Sequence, residues 1–119
     1  MTYISILPKS ETIQARIAES GEVAMDLLFT ATREVLGIPD NDIIVELHTS
    51  TTMAFQQSAV SAQVAPDAVL AFATSDQHLQ PLFQALCDRV VEDWSGLFED
   101  MKLEVWVSLI DASATNIEW

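Results

Sequence analysis

Residues 35–50 read VLGIPDNDIIVELHTS, and this stretch carries a helix end, a turn and a strand in close succession. Gly37 and Pro39 form the helix stop, because glycine favours the C-terminal cap and proline cannot continue a helix. The following IIVELH has the period-two alternation of a strand. Its two faces carry Ile43, Val45 and Leu47 on one side and Ile44, Glu46 and His48 on the other.

A strand and a helix are predicted before this junction. Residues 2–7, TYISIL, are β-rich and alternate weakly, and Pro8 ends the strand. From about Ile13 to Leu36, apolar residues recur at spacings of three and four, which indicates one helical face. Gly21 interrupts the spacing, so the piece before it is predicted to be a turn or a separate short helix.

The same order returns in the second half of the chain. Residues 49–67 are small, polar and poorly periodic, which predicts a connection with room for a short hairpin. AVLAFA, residues 68–73, is a nearly continuous apolar strand of the kind buried on both faces. A helix with Pro81 near its first turn follows and is predicted to end at Ser95-Gly96. Residues 103–109 alternate as a last strand.

The order is thus β-α-β twice. The segment VELHTSTTMAF of the first half aligns weakly with VSLIDASATNIEW of the second. We predict one domain over residues 1–119, built from repeat units at about 2–55 and 68–119. Each crossover joins two parallel strands, so we expect an α+β fold with a four-stranded sheet and two helices on one face. The ferredoxin-like sandwich and the tautomerase fold share this order, and periodicity leaves both open.

Composition and charge restrict the classes of partner that the protein can bind. The chain has 119 residues, a net charge of −13 with five basic residues, and 50% hydrophobic residues. Excess apolar surface predicts an interface with another subunit, whereas nucleic acid and anionic membrane suit such a charge poorly. The apolar runs are shorter than the roughly 20 residues of a membrane span, and a secretory signal is not expected. We therefore expect a cytoplasmic protein, without a metal or cofactor, since Cys87 and two histidines make no ligand spacing.

VLGIPDNDIIVELHTS resembles the end of the first β-α-β unit in the tautomerase superfamily, which includes 4-oxalocrotonate tautomerase and macrophage migration inhibitory factor. There, a helix ends in Leu-Gly-x-Pro, and a short acidic turn leads into a strand of the type V-x-L-x-E. Residues 102–119, KLEVWVSLIDASATNIEW, look like the second strand and the closing asparagine-tryptophan segment. The resemblance implies a tautomerase/MIF-like fold and a homotrimer with a central barrel, with Trp119 packed at the subunit interface.

The resemblance also implies a site at the amino terminus. In the family an amino-terminal proline moves a proton between carbon and oxygen of an enol, and here Thr2 stands in its place. If Met1 is removed, the α-amine of Thr2 is the candidate catalytic base, with a reference pKa of about 7.7–8.0. Lys9, by motif order, or Arg16, by distance from Pro39, would replace the family's substrate-binding arginine.

Two further residues are substrate-binding candidates. Tyr3 would adjoin a terminal site, and His48 lies on the strand face with Glu46. The position after the third strand that corresponds to Lys9 after the first strand is Ser75-Asp76, and neither residue is basic. His78 beside Asp76 is interpreted as a solvated helix end.

Two functions compete at this level. The first is a divergent keto-enol isomerase of a small carboxylated molecule, with the chemistry weakened by Thr2. The second is a non-catalytic trimer that binds a small molecule or a protein. A ferredoxin-like dimeric ligand-binding domain is a weaker third. An enzyme needs a free terminal amine in a pocket with a cation nearby, whereas a binding protein does not.

Overall fold

The structure is a computed structural model and describes residues 1–49 and 66–110. The elements in chain order are β1 (Thr2–Pro8), α1 (Glu11–Glu19), α2 (Gly21–Leu36), β2 (Ile43–Leu47), β3 (Ala68–Thr74), α3 (Phe83–Leu97) and β4 (Leu103–Leu109). Short 3-10 turns, Asp40–Asp42 and Gln77–Leu82, precede β2 and α3. Most of the predicted connection, the predicted interface position of Trp119 and much of the repeat match lie outside the described residues.

The four strands form one mixed sheet in the order β2-β1-β3-β4. The two outer pairs are parallel, and the central pair, β1 with β3, is antiparallel. Thr2 is in register with Ile43 on one side and with Thr74 on the other, and Thr74 is in register with Leu109. The starts of β1 and β2 therefore meet the ends of β3 and β4 at one end of the sheet, called here the Thr2 end.

One face of the sheet is buried under the helices, as the α+β prediction requires. Alternate residues of β1 and β3 point into this core, including Ile4 and Phe72, which are almost fully buried. Leu28 of α2 and Trp94 of α3 pack into the same cluster. Burying each such side chain contributes about 1.5–3 kcal/mol.

The predicted break in the first helical stretch is confirmed. Ser10 caps α1, because its Oγ accepts a hydrogen bond from the Ile13 N–H at 3.2 Å. The chain breaks at Ser20, and α2 then runs to Leu36 and ends at Gly37, whose φ of 72° is the left-handed conformation typical of a helix C-terminus.

The helix of the second β-α-β unit, α3, differs from its prediction at both ends. A 3-10 turn that contains Pro81 precedes α3, because proline lacks the N–H that an α-helix interior requires. At the other end α3 continues through Gly96 to Leu97. None of the helices in residues 1–49 and 66–110 is long and apolar enough to cross a bilayer.

Candidate functional site

Thr2 is the first residue of β1, and its side chain points into the core. It is 1% exposed, and its hydroxyl donates to the Thr74 hydroxyl at 3.1 Å. The Met1 ammonium lies 3.4 Å from Oδ1 of Asp42, which directly precedes β2. The Thr2 side chain therefore has a structural partner, and only its backbone nitrogen could serve the predicted terminal site.

Tyr3 lies on the opposite face of the sheet from the helices. It is 44% exposed and is in register with Ile44 and Ala73. Successive strand residues point to opposite faces, so Tyr3 and the Thr2 side chain point away from each other. Tyr3 adjoins Thr2 along the chain, as predicted, but faces the open side of the sheet.

His48 follows the carboxyl end of β2, at the far end of the sheet from Thr2. Its backbone N–H donates to the Ile6 carbonyl at 2.9 Å, and its Nε2 lies 3.6 Å from the Glu46 carboxylate. Its Nε2 is screened from solvent and makes no hydrogen bond to the residues that the structure describes. His48 is thus on the strand face with Glu46, as predicted, and away from the Thr2 end.

The two candidate cations follow the carboxyl end of β1. The Lys9 N–H donates to the Asp67 carbonyl at 2.9 Å, and Arg16 lies in the last turn of α1. β1 has 7 residues, so its two ends lie roughly 20 Å apart at about 3.3 Å per residue. The structure therefore does not bring Lys9 and Thr2 together within one chain.

A cavity of about 310 Å³ opens at the Thr2 end, beside the carboxyl ends of β3 and β4. It is lined by Ser75, Asp76, Gln77, His78, Leu109 and Ile110. The Ile110 N–H donates to the Thr74 carbonyl at 2.7 Å, which holds the two strand ends together at the cavity wall. The sequence pointed to Ser75-Asp76 as the place after the third strand but not to the apolar residues opposite, because the register between β3 and β4 leaves no local pattern.

A second cavity, of about 330 Å³, lies against α1 and the residue after β2. Its lining consists of Glu11, Gln14, Ala15, Ala18 and Thr49. Neither Lys9 nor Arg16 is among these residues, so this cavity does not collect the predicted anion contacts.

The Thr2 end is acidic. Asp40 and Asp42 lead into β2, and Asp76 follows β3. Arg33 also lies here, but its guanidinium contacts both carboxylate oxygens of Asp40, at 2.8 and 3.0 Å. This end of the described chain therefore offers no unpaired lysine or arginine to an anionic ligand.

Two ionisable side chains on α3, Arg89 and Cys87, have shifted pKa values. Arg89 joins Glu34 at 2.8 Å and Asp93 at 2.7 Å, and these hydrogen bonds raise the pKa of its guanidinium. Burial, and then the nearby Asp88 charge, raise the pKa of the Cys87 thiol, which disfavours a reactive thiolate. Within residues 1–49 and 66–110, no group of three or more histidine, cysteine or acidic side chains could hold a metal ion.

The sheet order, the two parallel crossovers and the single helical layer define a tautomerase-like α+β fold. The fused 4-OT called F6, an asymmetric trimer, has a TM-score of 0.66 at 14% identity over 97% of this chain and 91% of that one. N1, of the cis-3-chloroacrylic acid dehalogenase family, has a TM-score of 0.63 at 16% identity over 91% of this chain and 74% of that one. MIF2 of Leishmania major has 0.59 at 14% identity, over 98% and 94%.

These similarities establish that the chain has the tautomerase superfamily fold. The resemblance predicted from residues 35–50 and 102–119 is confirmed at the level of fold, and the ferredoxin-like alternative is not favoured. No protein-family profile and no curated protein sequence matches the chain. At 14–16% identity the similarity to these solved structures supports the fold alone.

Proposed function

We propose that this chain is a self-associating, small-molecule-binding protein built on the tautomerase fold, without the enol chemistry of a terminal amine. One observation carries the proposal: Lys9 follows the carboxyl end of β1, roughly 23 Å from Thr2 at about 3.3 Å per residue, and the Thr2 end is acidic. The ligand site is the cavity at the Thr2 end.

Self-association is supported by the open face of the sheet. Tyr3, Ile44 and Trp106 lie on this face and are 44, 37 and 56% exposed. Apolar side chains gathered on one sheet face call for a second layer, and the helices already cover the other face. The fused 4-OT with this fold is an asymmetric trimer. We propose a homotrimer that covers this face.

Loss of enol chemistry is supported by charge. A carboxylated substrate at the Thr2 end would approach Asp76 and also Asp42, which is paired with the Met1 ammonium, while Arg33 is already paired with Asp40. Two like charges 4 Å apart repel by about 1 kcal/mol in water, which is the relevant limit for these exposed carboxylates. Such repulsion opposes the binding of a small enol acid in one chain.

A second candidate function is a keto-enol isomerase of a small carboxylated molecule. It is favoured by the cavity at the Thr2 end, since removal of Met1 would leave the α-amine of Thr2 near it. This function needs Lys9 or Arg16 from a second copy of the chain as the anion contact. Tyr3 and His48, on or beside the strands, would then contribute from the subunit boundary.

Ketonisation of phenylenolpyruvate separates the two candidates. The untagged protein, with its terminus established by mass, is compared with Thr2→Pro and with a protein extended ahead of Met1, which has no amine at position 2. We expect no rate above buffer for any of the three, because the acidic end repels the substrate.

Two results would contradict this expectation. A wild-type rate that a group titrating near neutral pH controls, and that the extension abolishes, would establish the isomerase instead. Activity in Thr2→Pro alone would mean that the cavity accepts a carboxylated enol and that only the base is missing, against the electrostatic part of the proposal.

A further inference from the structure

We propose that the cavity at the Thr2 end binds a small organic cation, such as a primary ammonium group on a short apolar chain. This inference rests on the proposed function for the location of the ligand site and adds the chemical class of the ligand. It is carried by the lining of the cavity, by the oriented carboxylate of Asp76 and by the charges around it.

The lining divides into a polar and an apolar part. Ser75, Asp76, Gln77 and His78 supply the polar part from the segment after β3, and the last residue of β4, Leu109, supplies the apolar part with the following Ile110. About 310 Å³ is at the lower limit of small-molecule sites, and the cavity is open to solvent because its polar residues and Ile110 are exposed, so it suits a ligand of few atoms. A short alkyl chain matches the apolar wall, and a charged head with N–H donors matches the polar segment.

One oxygen of the exposed Asp76 carboxylate is oriented by the turn that follows β3. Its Oδ1 accepts the His78 N–H at 2.9 Å, and its backbone carbonyl accepts the Leu79 N–H at 3.1 Å. Its other carboxylate oxygen makes no hydrogen bond within the described part of the chain. A preset acceptor loses little freedom when it binds a donor, so this oxygen is suited to an ammonium group.

The charges at this end favour a cation over an anion. No lysine or arginine lines the cavity, and Arg33 is occupied by Asp40. Asp42, at the same end of the sheet, already lies 3.4 Å from the Met1 ammonium. An ionised carboxylate accepts hydrogen bonds and donates none, so Asp76 pairs with an ammonium group and repels a carboxylate.

The test compares three probes of similar shape and different charge: butylamine as its ammonium form, butanol and butyrate. Backbone amide shifts are followed by NMR during titration at neutral pH. We expect saturable shifts confined to residues 75–78 and 109–110 with butylammonium, weaker shifts with butanol and none with butyrate. Butyrate that binds as well as butylammonium would overturn the inference.

Asp76→Asn is the matched variant. Asparagine is as good a helix-capping residue as aspartate, so the turn before α3 should persist, and thermal unfolding checks this. We expect butylammonium to bind about tenfold more weakly or worse, since a charge-assisted hydrogen bond is lost. Asp26→Asn, which removes one negative charge from an exposed position on α2, should change the affinity less than twofold.

An equal loss of butylammonium affinity in Asp76→Asn and Asp26→Asn would mean that net charge alone attracts the probe. Unchanged butylammonium binding in Asp76→Asn would mean that the probe binds elsewhere. Both results contradict the inference. The proposed self-association and the absence of enol chemistry are tested separately, by the subunit mass and by the ketonisation rate, and neither measurement depends on the charge of the ligand.

Discussion

At the residue scale, Thr2, which the sequence predicts as the catalytic position, carries a side chain with a structural partner. The Thr2 hydroxyl is buried and donates to the hydroxyl of Thr74, across the central strand pair. A buried hydroxyl left without a partner costs about 1–3 kcal/mol, whereas replacing both partners by apolar groups of similar shape is nearly neutral. Thr2 and Thr74 therefore stabilise the start of β1 as a pair.

We expect Thr2→Val and Thr74→Val each to lower the free energy of unfolding by about 1–3 kcal/mol, because each leaves the other hydroxyl unpaired. The double variant should lose less than the sum of the two, with a coupling of about 0.5–3 kcal/mol. Urea unfolding of the four proteins measures this cycle. Thr12→Val, at an exposed position of α1, is the control and should stay within about 0.5 kcal/mol of wild type. Strict additivity of the two core variants would contradict the pairing.

At the scale of elements, a glycine near a helix end can stop the helix or continue it, depending on its backbone conformation. Gly37 ends α2 with a φ of 72°, whereas Gly96 lies inside α3, and Gly37 is the positive-φ glycine of the described chain. A Cβ added at either position meets no atom within 4 Å. Any change on substitution therefore comes from the backbone and not from a clash.

We expect Gly37→Ala to destabilise the protein by about 1–2 kcal/mol, the cost of a left-handed conformation for an L-residue. Gly96→Ala should instead stabilise it by about 0.5–1 kcal/mol, because glycine in a helix interior loses more entropy on folding. Thermal or urea unfolding measures both. Two changes of the same sign would mean that one of these helix ends is placed wrongly.

The elements follow closely from the sequence where local chemistry specifies them. The alternation of β4 and the break before Gly21 were predictable, because side-chain spacing and a single glycine determine them. The continuation of α3 beyond Gly96 was not, since glycine stops a helix only when packing puts it at positive φ. His78 is exposed, as the sequence indicated, but its position beside Leu109 and Ile110 could not be predicted, because it depends on the register between β3 and β4.

At the scale of the whole molecule, opposite physical demands act on the open sheet face. Its apolar side chains favour a covering layer, while a net charge of −13 on each chain opposes bringing copies together. Among the large hydrophobic side chains described on this face, Trp106 is the most exposed, at 56%, and its Nε1 donates to Glu104 at 3.0 Å. Assembly through this face therefore has to bury an aromatic side chain next to a carboxylate.

We expect Trp106→Glu to lower the solution mass from that of an assembly to that of a single chain, because it removes apolar area and adds a charge beside Glu104. Val91→Glu is the matched control: Val91 is 41% exposed on α3, in the helical layer, and the substitution adds the same charge. Its mass should equal that of wild type. Sedimentation or light scattering gives the masses, and dissociation of Val91→Glu would place the interface on the helices instead.

Salt separates the apolar face from ionic pairing as the source of this assembly. Between about 0.1 and 1 M salt the screening length falls from about 10 to about 3 Å, which suppresses repulsion between acidic subunits and also weakens exposed ion pairs. If the sheet face holds the subunits together, the assembly tightens as salt rises, because burial of apolar area persists while repulsion fades. Dissociation on adding salt would mean that charge pairs hold the copies together, and the open sheet face would then lose its proposed role.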